Sequence, residues 1–324
     1  MSTLDNYLRS YDDLLVHQLM LQDSERVEAY KRSFEENKEK FKGKIVLDVG
    51  CGTGILSMLA AKCGAKTVFA VDGSNIALLA RKIVDDNDLS DVVQVIHGRV
   101  EEIELPVSQV DIIISEWMGF YLLHEGMLDS VIFARDKWLN PESGMIFPQK
   151  ASLYVSLVEI EDFWDKHIEG INNIEGFDYS SMKEIIHSSY MKSPLILDVE
   201  SKNVENFSFQ QIFSVDLLQI KTIRELDNIE SHFNIKVKKD TEYVHGFIIW
   251  FDVEFPTSNS GAVVLSTSPF NTPTHWKQTI TLFHDCLEAK AGLNVKCFAK
   301  LKRCTDESKR YYTISIEVED ATMD

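Results

Sequence analysis

The chain has 324 residues, 44% of them hydrophobic, which is enough apolar material to bury cores in about two domains. Its 33 Lys+Arg against 51 Asp+Glu leave a formal net charge of −18. That balance argues against a broad phosphate-binding face, so basic partners are expected and direct nucleic-acid binding is not.

The opening, MSTLDNYLRSYDDLL, lacks the basic region and long apolar run of a secretory signal, and no stretch reaches the ~18 apolar residues of a membrane span. An intracellular protein with no membrane partner is expected. Leu14, Leu15, His17, Leu19, Met20 and Leu21 recur at helical spacing, and DSERVEAYKRSFEENKEKF continues with mixed charge, so the first forty residues are predicted to be helical. The texture then changes. KIVLDVGCGTGILSMLAAKCGA reads as strand, glycine turn and helix, TVFAVDGS as strand and turn, IALLARKIVDDNDL as helix, and VVQVIHGRV and VDIIIS as strands. Such alternation builds a parallel sheet covered by helices. After ESGMIFP, with Pro148 at the boundary, period-2 runs take over: ASLYVSLVEI, NFSFQQIFSVDL, HFNIKVKKD, VHGFIIWFDVEF, WKQTITLFHD, LNVKCFAKLKRC and RYYTISIEVED. This half is predicted to be antiparallel β. Between its first two strands, Phe163–Ser193 form a helical, aromatic excursion whose apolar residues Phe163, Trp164, Ile168, Phe177, Tyr179, Met182 and Ile185 are expected to be exposed. The five cysteines, Cys51, Cys63, Cys286, Cys297 and Cys304, contain no CxxC pair and read as buried or free thiols, with no metal site implied.

In VLDVGCGTG an apolar strand ends at Asp48, followed by Gly50, Gly52 and Gly54 before a helix, where missing side chains let a ligand approach the backbone. The third glycine of GxGxxG would fall at position 55, which is Ile, and no Walker sequence is present. Nicotinamide dinucleotide and P-loop readings are therefore weakened. Asp72 ends the second strand, where acids of doubly wound sheets bind ribose hydroxyls, and Glu101 follows the third. Taken singly, each could be a turn or a helix cap. Their order on successive strands points to an adenosine-containing cofactor.

SEWMGFYLLHEGML follows the strand VDIIIS and sets Glu116 and Glu125 around an aromatic and aliphatic segment. Two desolvated, mutually repulsive carboxylates are tolerable when a cation lies between them. The planar fork of a guanidinium matches two acids best, the bland alternative being a helix cap plus one surface acid.

With those residues in view, the sequence resembles the protein arginine N-methyltransferases, specifically their type I, asymmetric-dimethylating class. SEWMGFYLLHEGML resembles the family's double-glutamate loop, THWKQT its THW loop, and YLRSYDDLLVHQLMLQDSER its cofactor-covering helices. The resemblance runs from Tyr7 to about Glu319. It implies an α/β + β fold: an S-adenosylmethionine-binding Rossmann-like methyltransferase domain (41–148) beneath N-terminal helices (1–40), then an antiparallel β-barrel domain (149–324) with a helical dimerisation arm at about 163–193. It implies S-adenosyl-L-methionine as cofactor, S-adenosyl-L-homocysteine as product, and arginine/glycine-rich proteins and histone tails as substrates. A head-to-tail homodimer and residence in cytoplasm and nucleus are implied as well.

Carried over by position, Glu116 and Glu125 would grip the substrate guanidinium, and His275, paired with Asp23, would complete the catalytic set. Arg26 would bind the cofactor's carboxylate, Gly50 its amino-acid end, Asp72 its ribose and Glu101 its adenine, with His17, Met20, Asp48, Gly52, Val100 and Met127 completing the pocket. Tyr7, Tyr11, Met20 and Trp276 would face the substrate. Three positions depart from the family pattern: Leu8 follows Tyr7 in place of Phe, SYDDLLVH replaces a glycine-containing stretch, and His124 precedes Glu125. A catalytically weak, adenosylmethionine-binding scaffold of the same fold is the alternative reading.

Overall fold

The computed structural model describes residues 3–257, 261–305 and 310–323; the outermost expected domain limits, 1 and 324, lie outside them. Helices α1 (Thr3–Ser10), α2 (Leu14–Gln22), α3 (Ser24–Glu36) and α4 (Lys38–Phe41) come first, as the mixed polar and apolar spacing predicts. Asp13 and Asp23 cap the second and third, accepting from the backbone N–H of Leu15 and Arg26. Helix α2 differs from an ordinary amphipathic helix: only His17 is buried, and Leu14, Leu15, Leu19 and Leu21 are exposed.

Strands β1 (Ile45–Val49), β2 (Thr67–Asp72), β3 (Val93–His97), β4 (Ile112–Ile114) and β5 (Met145–Phe147) form one parallel sheet in the order β3-β2-β1-β4-β5. Helices α5 (Ile55–Lys62), α6 (Ile76–Asp86) and α7 (Leu128–Trp138) provide the crossovers. Burial on both faces explains the near-continuous apolar strands. The order reverses at β1, so the crevice beyond the carboxyl ends of β1 and β4 is where such a sheet takes its ligand.

Pro148 separates β5 from β6 (Lys150–Val158), the first antiparallel strand. The excursion follows: α8 (Glu161–Trp164) running into a π-helical turn (Asp165–Glu169), a two-residue hairpin of β7 (Asn173–Ile174) and β8 (Phe177–Asp178), and α9 (Ser180–Tyr190). Beyond it come β9 (Leu195–Leu197), β10 (Gln210–Asp216), β11 (Asn228–Lys236), β12 (Thr241–Phe255), β13 (Val263–Ser266), β14 (Gln278–Ala289), β15 (Leu293–Arg303) and β16 (Tyr312–Met323). They make a six-stranded sheet, β10-β6-β12-β14-β9 with β13 on β12, and a three-stranded sheet, β11-β15-β16, which together form the antiparallel barrel. The two short strands β9 and β13 are not separable from loops by alternation, being three and four residues long.

The excursion corrects one expectation. Trp164 and Ile168 are buried, because Trp164 packs against the rings of His187 and His245, and His245 Nδ1 accepts from the Ile160 N–H. These residues anchor the arm on the barrel. Phe177, Tyr179, Met182 and Ile185 are the exposed ones.

Candidate active site

The parallel registers bring the carboxyl ends of the strands level: Val49 pairs with Val71, Asp48 with Ile114, and Asp72 with His97. After β1 the chain turns at Gly50, whose N–H and that of Cys51 donate to the Val71 carbonyl at 2.9 and 3.0 Å. Gly50 has φ +76°, a left-handed conformation that favours glycine, and a Cβ there would lie 2.7 Å from the flexible tip of Met127. Beyond this edge lies a cavity of about 410 Å3, and Gly50, Gly52, Asp72, Val100, Glu101 and Met127 all stand in its wall. His17, Met20, Arg26, Tyr7 and Tyr11 close it from the N-terminal helices. His17 Nε2 is 2.8 Å from the Tyr11 carbonyl, which fixes the bend between α1 and α2.

Asp72 serves the turn as well as the cavity. Its Oδ2 accepts from the Gly52 N–H at 2.9 Å, and its Oδ1 from the N–H and hydroxyl of Ser74 at 2.8 and 2.6 Å. About one of its four lone-pair sites remains for a ligand hydroxyl. Glu101 accepts from the Ser130 hydroxyl at 2.6 Å and lies 3.5 Å from the Arg99 guanidinium.

The acid loop is held differently. Ser115 donates its hydroxyl to the Val49 carbonyl at 2.7 Å, and its own carbonyl accepts from the buried Tyr30 hydroxyl at 2.9 Å, so Glu116 is presented beside the glycine turn. The loop then folds back on itself, Gly119 and Leu122 exchanging both backbone hydrogen bonds at 3.0 Å. A Cβ on Gly119 would collide with the His124 carbonyl. Tyr121, Leu122 and Glu125 all adopt left-handed backbone, at φ +39°, +69° and +75°, conformations that side chains resist and surrounding contacts must impose. Those contacts include Trp276 Nε1 donating to the Met118 carbonyl at 2.8 Å, and Tyr121 donating to the Tyr312 carbonyl at 2.9 Å.

Both acids meet donors. Arg26 Nε lies 3.2 Å from Glu116 Oε2 while its Nη1 donates to the Met20 carbonyl at 2.7 Å. The Tyr11 hydroxyl donates to Glu125 Oε2 at 2.5 Å. Burial pushes the Glu125 carboxyl above its ordinary range, and the Glu116 charge adds to this, against the lowering influence of Tyr11 and Arg310. At the far wall, His275 Nδ1 lies 2.6 Å from Asp23 Oδ2, which also accepts the His275 N–H at 2.9 Å. Burial works to raise the Asp23 carboxyl, but donors from His275 and the Arg26 backbone outweigh it and hold the group below its ordinary value. His275 and Trp276 both line the cavity.

One expected cofactor residue is misplaced. Asp48 is fully buried behind the wall: its side chain points to α5, where Oδ2 accepts from the Ser57 hydroxyl at 2.6 Å, and burial raises its carboxyl to about 7. Period-2 alternation along β1 turns it inward. Two wall residues had no signal in sequence, and a third, Leu8, stood out there only as a departure from the family pattern. Arg310 reaches in from the edge of β16, Trp117 keeps its Nε1 buried without a partner among the described residues, and Leu8 lies against Gly73.

A doubly wound sheet with a glycine turn after its first strand, roofed by helices and fused to an antiparallel barrel, defines an S-adenosylmethionine-dependent methyltransferase of two-part architecture. Residues 149–321 match the family model for the arginine methyltransferase oligomerization subdomain, and residues 28–124 that for ribosomal protein L11 methyltransferase (PrmA). Protein arginine N-methyltransferase 1 of Dictyostelium discoideum is 44% identical over 292 residues, 90% of this chain and 83% of the relative. The Saccharomyces cerevisiae protein of the same name is 42% identical over 89% of this chain and 80% of its own length. Among solved structures, the Trypanosoma brucei PRMT1 enzyme-prozyme heterotetrameric complex with AdoHcy superposes with a TM-score of 0.84 at 37% identity, covering 95% of this chain and 94% of that one. The chain belongs to the protein arginine N-methyltransferase family.

Proposed function

We propose that the chain transfers methyl groups from S-adenosylmethionine to guanidinium nitrogens of arginine residues in proteins, giving monomethyl- and then asymmetric dimethylarginine. The observation that carries this reading is the pair of shielded acids, Glu116 and Glu125, beside the cavity that opens at Gly50. The cofactor's fit rests on the bare backbone at Gly50, the remaining lone pair of Asp72, and Trp117 Nε1 in the same wall, which has no partner among the described residues.

The sulfonium methyl that the cofactor supplies is already electrophilic, so the chain's task is to position a guanidinium nitrogen and exclude water. Glu116 and Glu125 hold the fork, drawing positive charge onto the nitrogens they bind and leaving electron density on the third. Arg26, fixed on Glu116 Oε2, leaves Oε1 for the incoming group and adds positive charge at the cofactor's carboxylate end. Arginine is too weak an acid to lose its proton beforehand. Glu125, its carboxyl raised by burial, or His275 backed by Asp23 takes the proton with or after methyl transfer.

The asymmetric product follows from Met20 and Met127 in the wall, flexible side chains that leave room for a once-methylated nitrogen to return. The assembly we propose is a head-to-tail homodimer: exposed Phe177, Met182 and Ile185 of one arm cover exposed Leu14, Leu15, Leu78 and Leu79 on the helical face of the other protomer. Fully active 37.0 kDa monomers in micromolar light scattering would overturn the dimer. Transfer of labelled methyl to a Gly-Arg-rich peptide, read by fragment mass spectrometry, tests the activity; no transfer, or only the symmetric isomer, counts against it. The −18 charge suits arginine-rich tails through long-range steering.

A further inference from the structure

Arg310, two residues before β16, touches both the first helix and the acid loop. Its guanidinium carbon lies 4.0 Å from the centre of the Tyr7 ring in α1. Its Nη1 donates to the Glu125 carbonyl at 3.0 Å, at one of the left-handed residues of the acid loop. Tyr7 meets Tyr11 edge to face at 5.2 Å, and Tyr11 donates to the Glu125 carboxylate at 2.5 Å. Arg310, Tyr7, Tyr11 and Glu125 thus form a closed circuit joining the first helix, the acid loop and the last strand of the barrel.

The same side chain also lines a second cavity. That cavity, of about 530 Å3, shares Arg99, Glu101, Ser130 and Arg310 with the first and is otherwise lined by α7 and the segment around Thr222. Arginine suits the position because a planar guanidinium can lie over a ring and still donate from its edge, a geometry that a compact ammonium matches less well.

We propose that Arg310 is a positioning residue: it clasps α1 over the cofactor cavity and fixes the Glu125 backbone, so that closing the N-terminal helix and assembling the acid pair are one event. This deepens the methyltransferase reading and rests on it for the identity of the ligand. Around Glu125 the charged and titratable groups are Tyr11, Glu116 and Arg310, with Tyr7 beyond them, and within the acid loop itself Tyr121 and the adjacent His124, which lie 2.7 Å apart. Arg310 is the cation among those that act on the Glu125 carboxyl, and it lowers it.

The test compares Arg310→Met and Arg310→Lys with the full-length protein, using S-adenosylhomocysteine as ligand. Release of the ligand is followed by tryptophan fluorescence, α1 by limited proteolysis, and kcat/KM against pH with a Gly-Arg-rich peptide. Arg310→Met should speed release about 3- to 30-fold, the range set by a cation–π contact of intermediate burial. It should also abolish ligand protection of α1 and move the acid limb of kcat/KM to higher pH, whereas Arg310→Lys should recover part of each effect. In a Tyr7→Leu background the Met substitution should add less than about twofold, since the two act as one contact. Unchanged release and proteolysis in Arg310→Met, or full additivity with Tyr7→Leu, would overturn the proposal. Should Arg310→Met not fold, Arg310→Lys decides alone: release at the wild-type rate with an unmoved acid limb sinks the clasp. A wild-type protein that fails to bind S-adenosylhomocysteine sinks the methyltransferase reading instead, and proteolysis of α1 in the ligand-free proteins still judges the clasp.

Discussion

The two sides of the cavity are built on different principles. The cofactor side comes from consecutive strand ends: Gly50, Asp72 and Glu101 sit within a few residues of β1, β2 and β3, and the parallel register alone lines them up. The acid side is assembled from afar. Glu125 meets Tyr11 across 114 positions and Arg310 across 185, Glu116 meets Arg26 across 90, Met118 meets Trp276 across 158, and Asp23 meets His275 across 252. The nucleotide cradle is therefore as robust as the sheet. The acid clamp depends on closure of the helices and docking of the barrel, so the two halves of the reaction, holding the methyl donor and placing the acceptor, should fail separately.

The largest separation is expected for Glu125→Gln, which keeps size and shape but replaces an ionised acceptor with an amide whose NH2 faces the cation's own donors. Breaking such a pair in a dry site costs about 3–5 kcal/mol, or roughly 10² to 5 × 10³ in turnover. Calorimetry should find S-adenosylhomocysteine binding nearly intact. A turnover loss under tenfold with intact binding would make Glu125 a structural acid.

Two glycines, one on each side, sharpen the contrast. Gly119→Ala drives a methyl into the His124 carbonyl and forces the acid loop apart, an overpacking cost of about 1–3 kcal/mol that should appear as a 10- to 100-fold fall in kcat. Gly50→Ala meets Met127 and a φ of +76°, a cost of roughly 1–2 kcal/mol. It should raise the KM for adenosylmethionine about tenfold while leaving kcat at saturation within about twofold. Equal effects on both constants in both variants would erase the distinction between the two sides.

The same division governs what could be read from the sequence. A parallel sheet was legible because β/α alternation and a glycine turn are local patterns, and with them came the places of Gly50, Asp72, Glu101 and Glu116. Asp48 misled because the motif puts it at the strand end but not on the cavity face; strand parity sends it to Ser57. The excursion misled for a related reason, since spacing does not say which helical face docks, and Trp164 and Ile168 proved to be its anchors. Arg310 carried no signal at all, being an arginine before a strand. His275 stood out only through its resemblance to a family motif, and its link to Asp23 is a tertiary fact.

The smallest effect should be the acid dependence of the Asp23–His275 link, measured as stability. Asp23 is buried and accepts from His275 Nδ1, the His275 N–H and the Arg26 N–H, and these donors hold its carboxyl below the ordinary value of 3.8. A carboxyl with a lowered folded-state pKa binds its proton more readily when unfolded. The stabilisation is therefore fully present above the ordinary carboxylate range and is lost as pH falls through the lowered folded value. Asp23→Asn removes the charge while keeping the shape, at a cost of about 1.5–3 kcal/mol for hydrogen bonds to a charged group, a loss of several degrees in Tm. The difference in Tm between the wild type and Asp23→Asn should shrink as the pH drops from about 5 to below the range where free aspartate titrates. A difference that grew as the pH fell below about 5 would mean that the Asp23 carboxyl is raised in the folded state, and the donors around it would then not be what fixes His275.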